Sequence, residues 1–214
     1  MPNFRGMAVG NPLTDMASRN YGQFGTWYNH QLIPKPMWDA YLAAGCKTDD
    51  PANPSDACTK ITNEMAPLVA HLNPYGLDFP ICSGSGGGSD AAHMRAMSAL
   101  LARVQPASAT GSYWPSDYDA CSDAHTATYL QRRDVRAAMH VSAAAMNRTW
   151  SDCNMNVNQN YNAQDTLAPM MPLYEKMLAT TGGGLSLLIY SGDDDSVCAT
   201  LGSQQWLWDL GTKH

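Results

Sequence analysis

The sequence predicts an α/β fold, and three observations predict it. Leu185, Leu187, Leu188, Ile189 and Tyr190 make a short apolar run between Gly182-Gly183-Gly184 and Ser191-Gly192. That pattern suits a strand buried on both faces better than a helix. Phe4–Gly10 (FRGMAVG) reads as a second buried strand, ended by Asn11-Pro12, and helical patterns fill much of the sequence between the two. Three consecutive carboxylates, Asp193, Asp194 and Asp195, follow the later strand at its C-terminal end. In open α/β sheets that rim carries the binding loops, because a rigid strand holds them from below.

Between the strands the elements follow in order. Pro36–Ala44 (PMWDAYLAA) has a helix-starting proline, an amphipathic pattern and Gly45 as a stop. Asp56–Leu72 is a second helix, apolar at Ile61, Met65, Leu68, Val69 and Leu72, and bent at Pro67. The turn-rich KTDDPANPSD lies between Cys46 and Cys58, so a disulfide there would staple the two helices. Ser83–Ser89 (SGSGGGS) is low-complexity. It has no preceding strand, G-K-[ST] or G-x-G-x-x-G, so it does not read as a phosphate loop. Asp90 caps an alanine- and methionine-rich helix to about Val104, and Thr110–Cys121 is turn-rich. Further helices are expected over Asp165–Leu178 and over Leu201–Leu210 with Gly211 as stop.

Length and charge narrow the functional classes. A chain of 214 residues fits one domain, or one domain with a large insertion, and 44% hydrophobic residues supply a sizeable core. A net charge of −6 argues against nucleic acid or an anionic membrane as partner. No apolar run approaches the roughly 20 residues of a membrane helix. The start, MPNFRGMAVG, lacks the charged and apolar regions of a signal peptide. Six cysteines without C-x-x-C spacing speak for disulfides over zinc. A secretory style of cysteine usage beside such a start suggests a piece of a longer protein. Asn147-Arg148-Thr149 is a glycosylation sequon, usable in the secretory pathway.

S-G-D-x-D-S-V-C-A-T-L-G at Ser191–Gly202, followed by Trp206, resembles the acid-bearing loop of the serine carboxypeptidases. Other stretches agree. FRGMAVGNPLTD is similar to the strand and G-N-x-x-x-D turn of that family. Gln31-Leu32-Ile33, after His30, is similar to its H-G-L-I segment, with Gln31 replacing the glycine, so His30 reads as a packing or capping residue. Asn73–Asp78 resembles N-x-Y-D-I, TATYLQRRDVRAAMHV resembles the family's Y-L-N-x-x-D-V-x-x-A-L-H-V helix, which implies a helix from Ala127, and Trp150–Asn154 resembles W-x-x-C-N/S. The match is most specific over residues 127–153 and 187–202 and weakest over 83–125. The resemblance implies a partial α/β-hydrolase fold with an inserted helical cap subdomain. Residues 1–14 would be a core strand and turn, 15–125 the cap with its disulfides, and 126–214 the C-terminal part of the core.

The same resemblance implies the site. Asp195, the second Asp of G-D-x-D, is expected to orient the catalytic histidine. Asp193 is expected to brace the turn by accepting backbone N–H groups, and Asp194 to face solvent. Val197 and Cys198 with Leu13 and Tyr21 fall where substrate is bound. Tyr75 faces the leaving-group pocket or is buried as aromatic packing. Cys46–Cys58 and Cys82–Cys121 are the expected disulfides; the second matches the family's tie across its inserted subdomain. Cys153 is expected unpaired because its family partner lies beyond this sequence, and Cys198 is expected to be a free thiol.

Acyl transfer by serine needs a hydroxyl, an imidazole and an orienting acid, in the chain order Ser, acid, His in α/β-hydrolases. The 214 residues contain no G-x-S-x-G; Ser85 and Ser89 lack its flanks. None of the six histidines (His30, His71, His93, His125, His140, His214) sits in a G-x-G-H context. The resemblance therefore implies an internal fragment, with the nucleophile upstream of Met1, the histidine downstream of His214, and no activity by itself. The function implied for the whole protein is removal of C-terminal residues from peptides or proteins in the extracellular, vacuolar or lysosomal space. It requires no cofactor and no metal, and leaves the oligomeric state open. The alternatives are an acyltransferase on the same triad and a non-catalytic binding relative that kept the helical cap as an interaction surface. The Asp193–Asp195 cluster would otherwise be a solvated acidic turn. As a site for a hard cation, which prefers six or more oxygens, it offers only three adjacent side chains.

Overall fold

A computed structural model of the chain describes residues 4–82, 119–180 and 184–211. The glycine-rich stretch with Ser85 and Ser89, the expected helix over 90–104 with His93, most of 110–121, and His214 lie outside the described residues. The chain packs as two units, one of residues 1–79 with 162–214 and one of residues 80–161. Among the described residues no helix is long and apolar enough to cross a membrane.

In the first unit the two expected strands meet. Strand β1, Gly6–Gly10, pairs in parallel with the late strand Ser186–Tyr190, in register from Gly6 opposite Ser186 to Gly10 opposite Tyr190. Parallel pairing of strands so far apart in sequence is an α/β arrangement. Burial alternates along the late strand, and Leu188 and Tyr190 stay 60% and 59% exposed. The expectation of a strand buried on both faces is thus corrected: the described residues cover one face only.

Helix α1, Met16–Asn29, carries two glycines and was not legible in the sequence. Asp15 starts it by accepting the Ser18 N–H at 2.6 Å, which satisfies one of the free donors at a helix N-terminus. After it come α2, Lys35–Ala43, and α3, Asp56–Val69. The Ser55 side chain caps α3 on the Cys58 N–H, and Asp49 holds Ser55 in turn through its N–H at 2.8 Å and its hydroxyl at 3.0 Å. Those bonds, the backbone one first, draw the Asp49 carboxyl below the usual range. A disulfide joins Cys46, in the short turn after α2, to Cys58 in the first turn of α3. Trp27, Ile33, Tyr41, Met65, Val69 and Leu77 pack with the two half-cystines as one core. Phe24, Trp38 and Tyr41 extend it as contacting rings, Trp38 stacking on Tyr41 at 5.4 Å.

Helix α3 stops at Val69, short of Leu72, because Leu72–Asn73 turns into strand β2, paired with β3, Gly76–Pro80. In the second unit, the Cys82–Cys121 disulfide precedes α4, Ser122–Gln131, and α5, Arg133–Ala138. The single helix expected from Ala127 is broken at Arg132, whose ψ of 136° is extended. Arg136, 6% exposed, compensates the break: its Nε donates to the Leu130 carbonyl at 3.0 Å, and its Nη1 donates to those of Met146 and Arg148. Helix α6, Met155–Gln159, ends this unit.

The helix expected over Asp165–Leu178 is two helices, α7 (Ala163–Leu167) and α8 (Met171–Thr180). Pro169 is the reason: it disfavours helical backbone at the preceding residue, and Ala168 is extended at ψ 129°. Strand β4 is the Ser186–Tyr190 strand already described, and α9, Thr200–Asp209, closes the chain. Tyr174 of α8 stacks on the buried Trp206 of α9 at 5.4 Å. Helices α1 and α9 cross at bare backbone. A Cβ on Gly22 would lie 2.6 Å from the Gly202 nitrogen, and one on Gly202 would lie 2.6 Å from the Ser18 carbonyl oxygen.

Candidate active site

The site forms where β4 delivers its loop. The β1–β4 ladder is extended one residue by Asn11, whose N–H donates to the Tyr190 carbonyl at 2.8 Å. Beyond Tyr190 the chain turns, and Ser191 Oγ donates to the Cys198 carbonyl at 2.8 Å, drawing the two ends of the loop together. Ser196, fully buried, gives both its N–H (2.9 Å) and its hydroxyl (2.8 Å) to the Pro74 carbonyl. The loop is therefore tied to β1 on one side and to the β2–β3 turn on the other.

Asp195 sits inside this frame, 5% exposed. Its Oδ1 accepts the N–H groups of Val197 at 2.7 Å and Cys198 at 3.0 Å, and its Oδ2 accepts Asn11 Nδ2 at 2.6 Å. An ionised carboxylate only accepts, and these three donors occupy three of its roughly four lone-pair positions. What remains is one direction on Oδ2 for another donor, such as an imidazole N–H.

The neighbouring acids do not behave as the sequence reading had them. Asp194 braces the loop: its Oδ2 accepts the Asp78 N–H at 3.1 Å and its carbonyl accepts the Leu77 N–H at 3.1 Å. Asp193 is the exposed one. The two roles are exchanged because β3, far away in sequence, runs beside Asp194 and presents its free N–H groups there. Asp194 and Asp195 also bond to different partners, one on β3 and one on Asn11 and the loop's own N–H groups. Among the described residues no group of three or more His, Cys, Asp or Glu is placed to hold a metal.

The other sequence-selected residues spread around this frame. Val197 and Cys198 supply the N–H pair on Asp195. Cys198 is a free thiol; burial first, and then the Asp195 charge, push it above the usual thiol range, with Arg19 acting in the opposite direction. It lines a crevice between α1 and α9 with Thr14, Ser18, Arg19 and Ser203. Leu13 is 42% exposed just after Asn11. Tyr21 on α1 lies against Trp38 at 5.9 Å, with the Lys47 ammonium 4.4 Å from its ring centre. Tyr75 follows the carbonyl that Ser196 grips and is 67% exposed, so its reading as buried aromatic packing is corrected. In the second unit Asn147 and Cys153 are both exposed, and Cys153 carries no disulfide.

His30 caps the C-terminus of α1, and its Nδ1 lies 4.0 Å from Asp194 Oδ1, not at Asp195. Gln31 follows at φ 60°, in the left-handed region that glycine occupies freely. That accounts for a glycine in the H-G-L-I pattern at this point. The residue that sequence reasoning missed is Asn11, taken there as a strand stop. The signal is in the residue type alone: asparagine tolerates a positive φ, here 45°, better than most side chains.

Comparison with known proteins finds relatives along the whole chain. The serine carboxypeptidase family model matches residues 1–214. Serine carboxypeptidase-like 25 of Arabidopsis thaliana is 28% identical over 197 residues, covering 91% of this chain and 40% of its own length. Serine carboxypeptidase II-1 of Hordeum vulgare is 26% identical over 195 residues, covering 91% of this chain and 54% of its own length. For serine carboxypeptidase-like 33 of Arabidopsis thaliana the identity is 28% and the coverages are 98% and 42%. The chain thus spans about half the length, or less, of the curated relatives it matches. On the match along all 214 residues, the chain belongs to the serine carboxypeptidase family.

Proposed function

We propose that this chain supplies the acid-bearing part of a serine-type carboxypeptidase, which removes C-terminal residues from peptides through an acyl-enzyme. The observation that carries the reading is Asp195. It is a buried carboxylate at the C-terminal end of a core strand, held by three donors with one acceptor direction left. A triad acid needs that geometry, because it fixes the imidazole tautomer and stabilises the imidazolium. Val197, Cys198, Leu13 and Tyr21 would line the acyl side of the substrate and Tyr75 the leaving-group side. Residues within 15–125 would supply the cap. The serine and histidine would come from segments outside these 214 residues. Two disulfides and an exposed sequon at Asn147 support folding in the secretory pathway, where both chemistries occur.

A hybrid enzyme tests the reading. Residues 1–214 replace the matched segment of the Hordeum vulgare relative, and the hybrid is assayed for release of a C-terminal residue from a blocked dipeptide and for labelling by a fluorophosphonate. The expected result is turnover and stoichiometric labelling by the hybrid and neither by the 214-residue chain alone. A folded hybrid that is labelled but does not turn over would contradict it.

A further inference from the structure

Asn11 has no role in the reading above, yet its placement is specific. Its N–H continues the β1–β4 ladder to Tyr190, and its φ of 45° is one that asparagine and aspartate tolerate better than other side chains. From that turn Nδ2 reaches Asp195 Oδ2 at 2.6 Å, across 184 positions of sequence. The other oxygen of Asp195 is filled by the Val197 and Cys198 N–H groups. The carboxylate is therefore gripped at both ends: backbone donors fix Oδ1, and a single side-chain amide fixes the oxygen that has room for another donor.

We infer that Asn11 is a positioning residue for the triad acid, aiming Asp195 Oδ2 at the imidazole. The inference rests on Asp195 being that acid. An oxygen with two lone pairs accepts the Asn11 amide and an imidazole N–H together, so the amide steers the carboxylate without competing for it. Without it, the plane of the carboxylate turns about Cβ–Cγ and the imidazole loses its fixed partner. Geometric errors of this size in a catalytic array cost about 10²-fold in rate.

Asn11→Asp in the hybrid enzyme is the discriminating variant, since it keeps shape and tolerance of the turn while replacing the donor by a second carboxyl. At neutral pH kcat falls about 10²-fold with KM unchanged. The ratio to the parent recovers as the pH is lowered, because two adjacent carboxyls then share one proton and a donor is restored. In the Asp195→Asn background the same change adds no further loss, because it acts through Asp195. A kcat unaffected by Asn11→Asp, or a loss that is additive with Asp195→Asn and flat with pH, overturns the inference alone. Full activity of Asp195→Asn removes the reading and the inference together. An assay on the 214-residue chain needs no turnover: by NMR, the Asn11 side-chain amide protons should be shifted downfield and protected from exchange, and both effects should vanish in Asp195→Ala. Free-asparagine behaviour in the unsubstituted chain would overturn the inference.

Discussion

Three adjacent aspartates differ here only by what lies across from each. Asp194 holds a backbone N–H of β3, and a hydrogen bond to a charged acceptor contributes about 1.5–3 kcal/mol. Asp194→Ala should therefore cost about 1–2 kcal/mol in a denaturant titration, the low side reflecting its partial exposure. Asp193→Ala should stay within about 0.5 kcal/mol, as exposed substitutions do. Equal effects would contradict the assignment. The Cys198 thiol reports on the third acid. Burial raises it, the Asp195 charge raises it further, and Arg19 lowers it. In a Cys153→Ser chain, then, the pH profile of alkylation should sit above that of an ordinary thiol. It should move down in Asp195→Asn, which removes a negative charge, and up in Arg19→Leu, which removes a positive one. A profile unmoved by Asp195→Asn would place that carboxylate away from the thiol.

Among the elements, the α1–α9 crossing depends on having no side chain at the contact. Gly→Ala inside a helix ordinarily gains about 0.5–1 kcal/mol. At Gly22 and Gly202 the added carbon would meet backbone, which cannot move aside; overpacking of that kind costs about 1–3 kcal/mol and outweighs the gain. At Gly25 the one close contact of the added carbon would be the end of the Leu201 side chain, which can rotate, with the Trp38 ring at an ordinary 3.4 Å. Melting temperatures should fall by about 2–4 °C per kcal/mol for Gly22→Ala and Gly202→Ala at this chain length, and stay nearly level for Gly25→Ala. A fall at Gly25 equal to that at Gly22 would contradict the packing. The same glycines explain why α1 was not legible: they are poor helix formers, tolerated because of a partner far along the chain. By contrast α2, with its proline start, and β1 and β4, with their apolar runs, were legible because their signals are local. The break at Pro169 was also written in the sequence, in the rule for the residue before proline, but the apolar pattern on either side masked it.

At the scale of the whole molecule, the loop that carries Asp195 was legible and its surroundings were not. The G-D-x-D pattern singled out Asp195 because the whole pattern lies on one loop. Asn11 and β3 reach the loop from distant parts of the chain, and no local pattern encodes those meetings. Within the described residues the parallel sheet has only two strands, with apolar side chains at Leu188 and Tyr190 in the open. Such a sheet leaves apolar surface and strand edges open among the described residues. Exposed strand edges should make the isolated chain prone to association, which light scattering during refolding would register; a monodisperse monomer at high concentration would contradict that. The central claim is that Asp195 orients the base. The direct test is kcat in the hybrid enzyme for Asp195→Asn beside Asp193→Asn, with melting temperatures for both. Asparagine at 195 can still accept the two backbone N–H groups, and the Asn11 amide can turn to present its oxygen, so the loop should stay folded. The account predicts a loss on the order of 10⁴ for Asp195→Asn at nearly unchanged melting temperature, and no loss for Asp193→Asn. Retained activity in Asp195→Asn, with the loss appearing in Asp193→Asn, would contradict it.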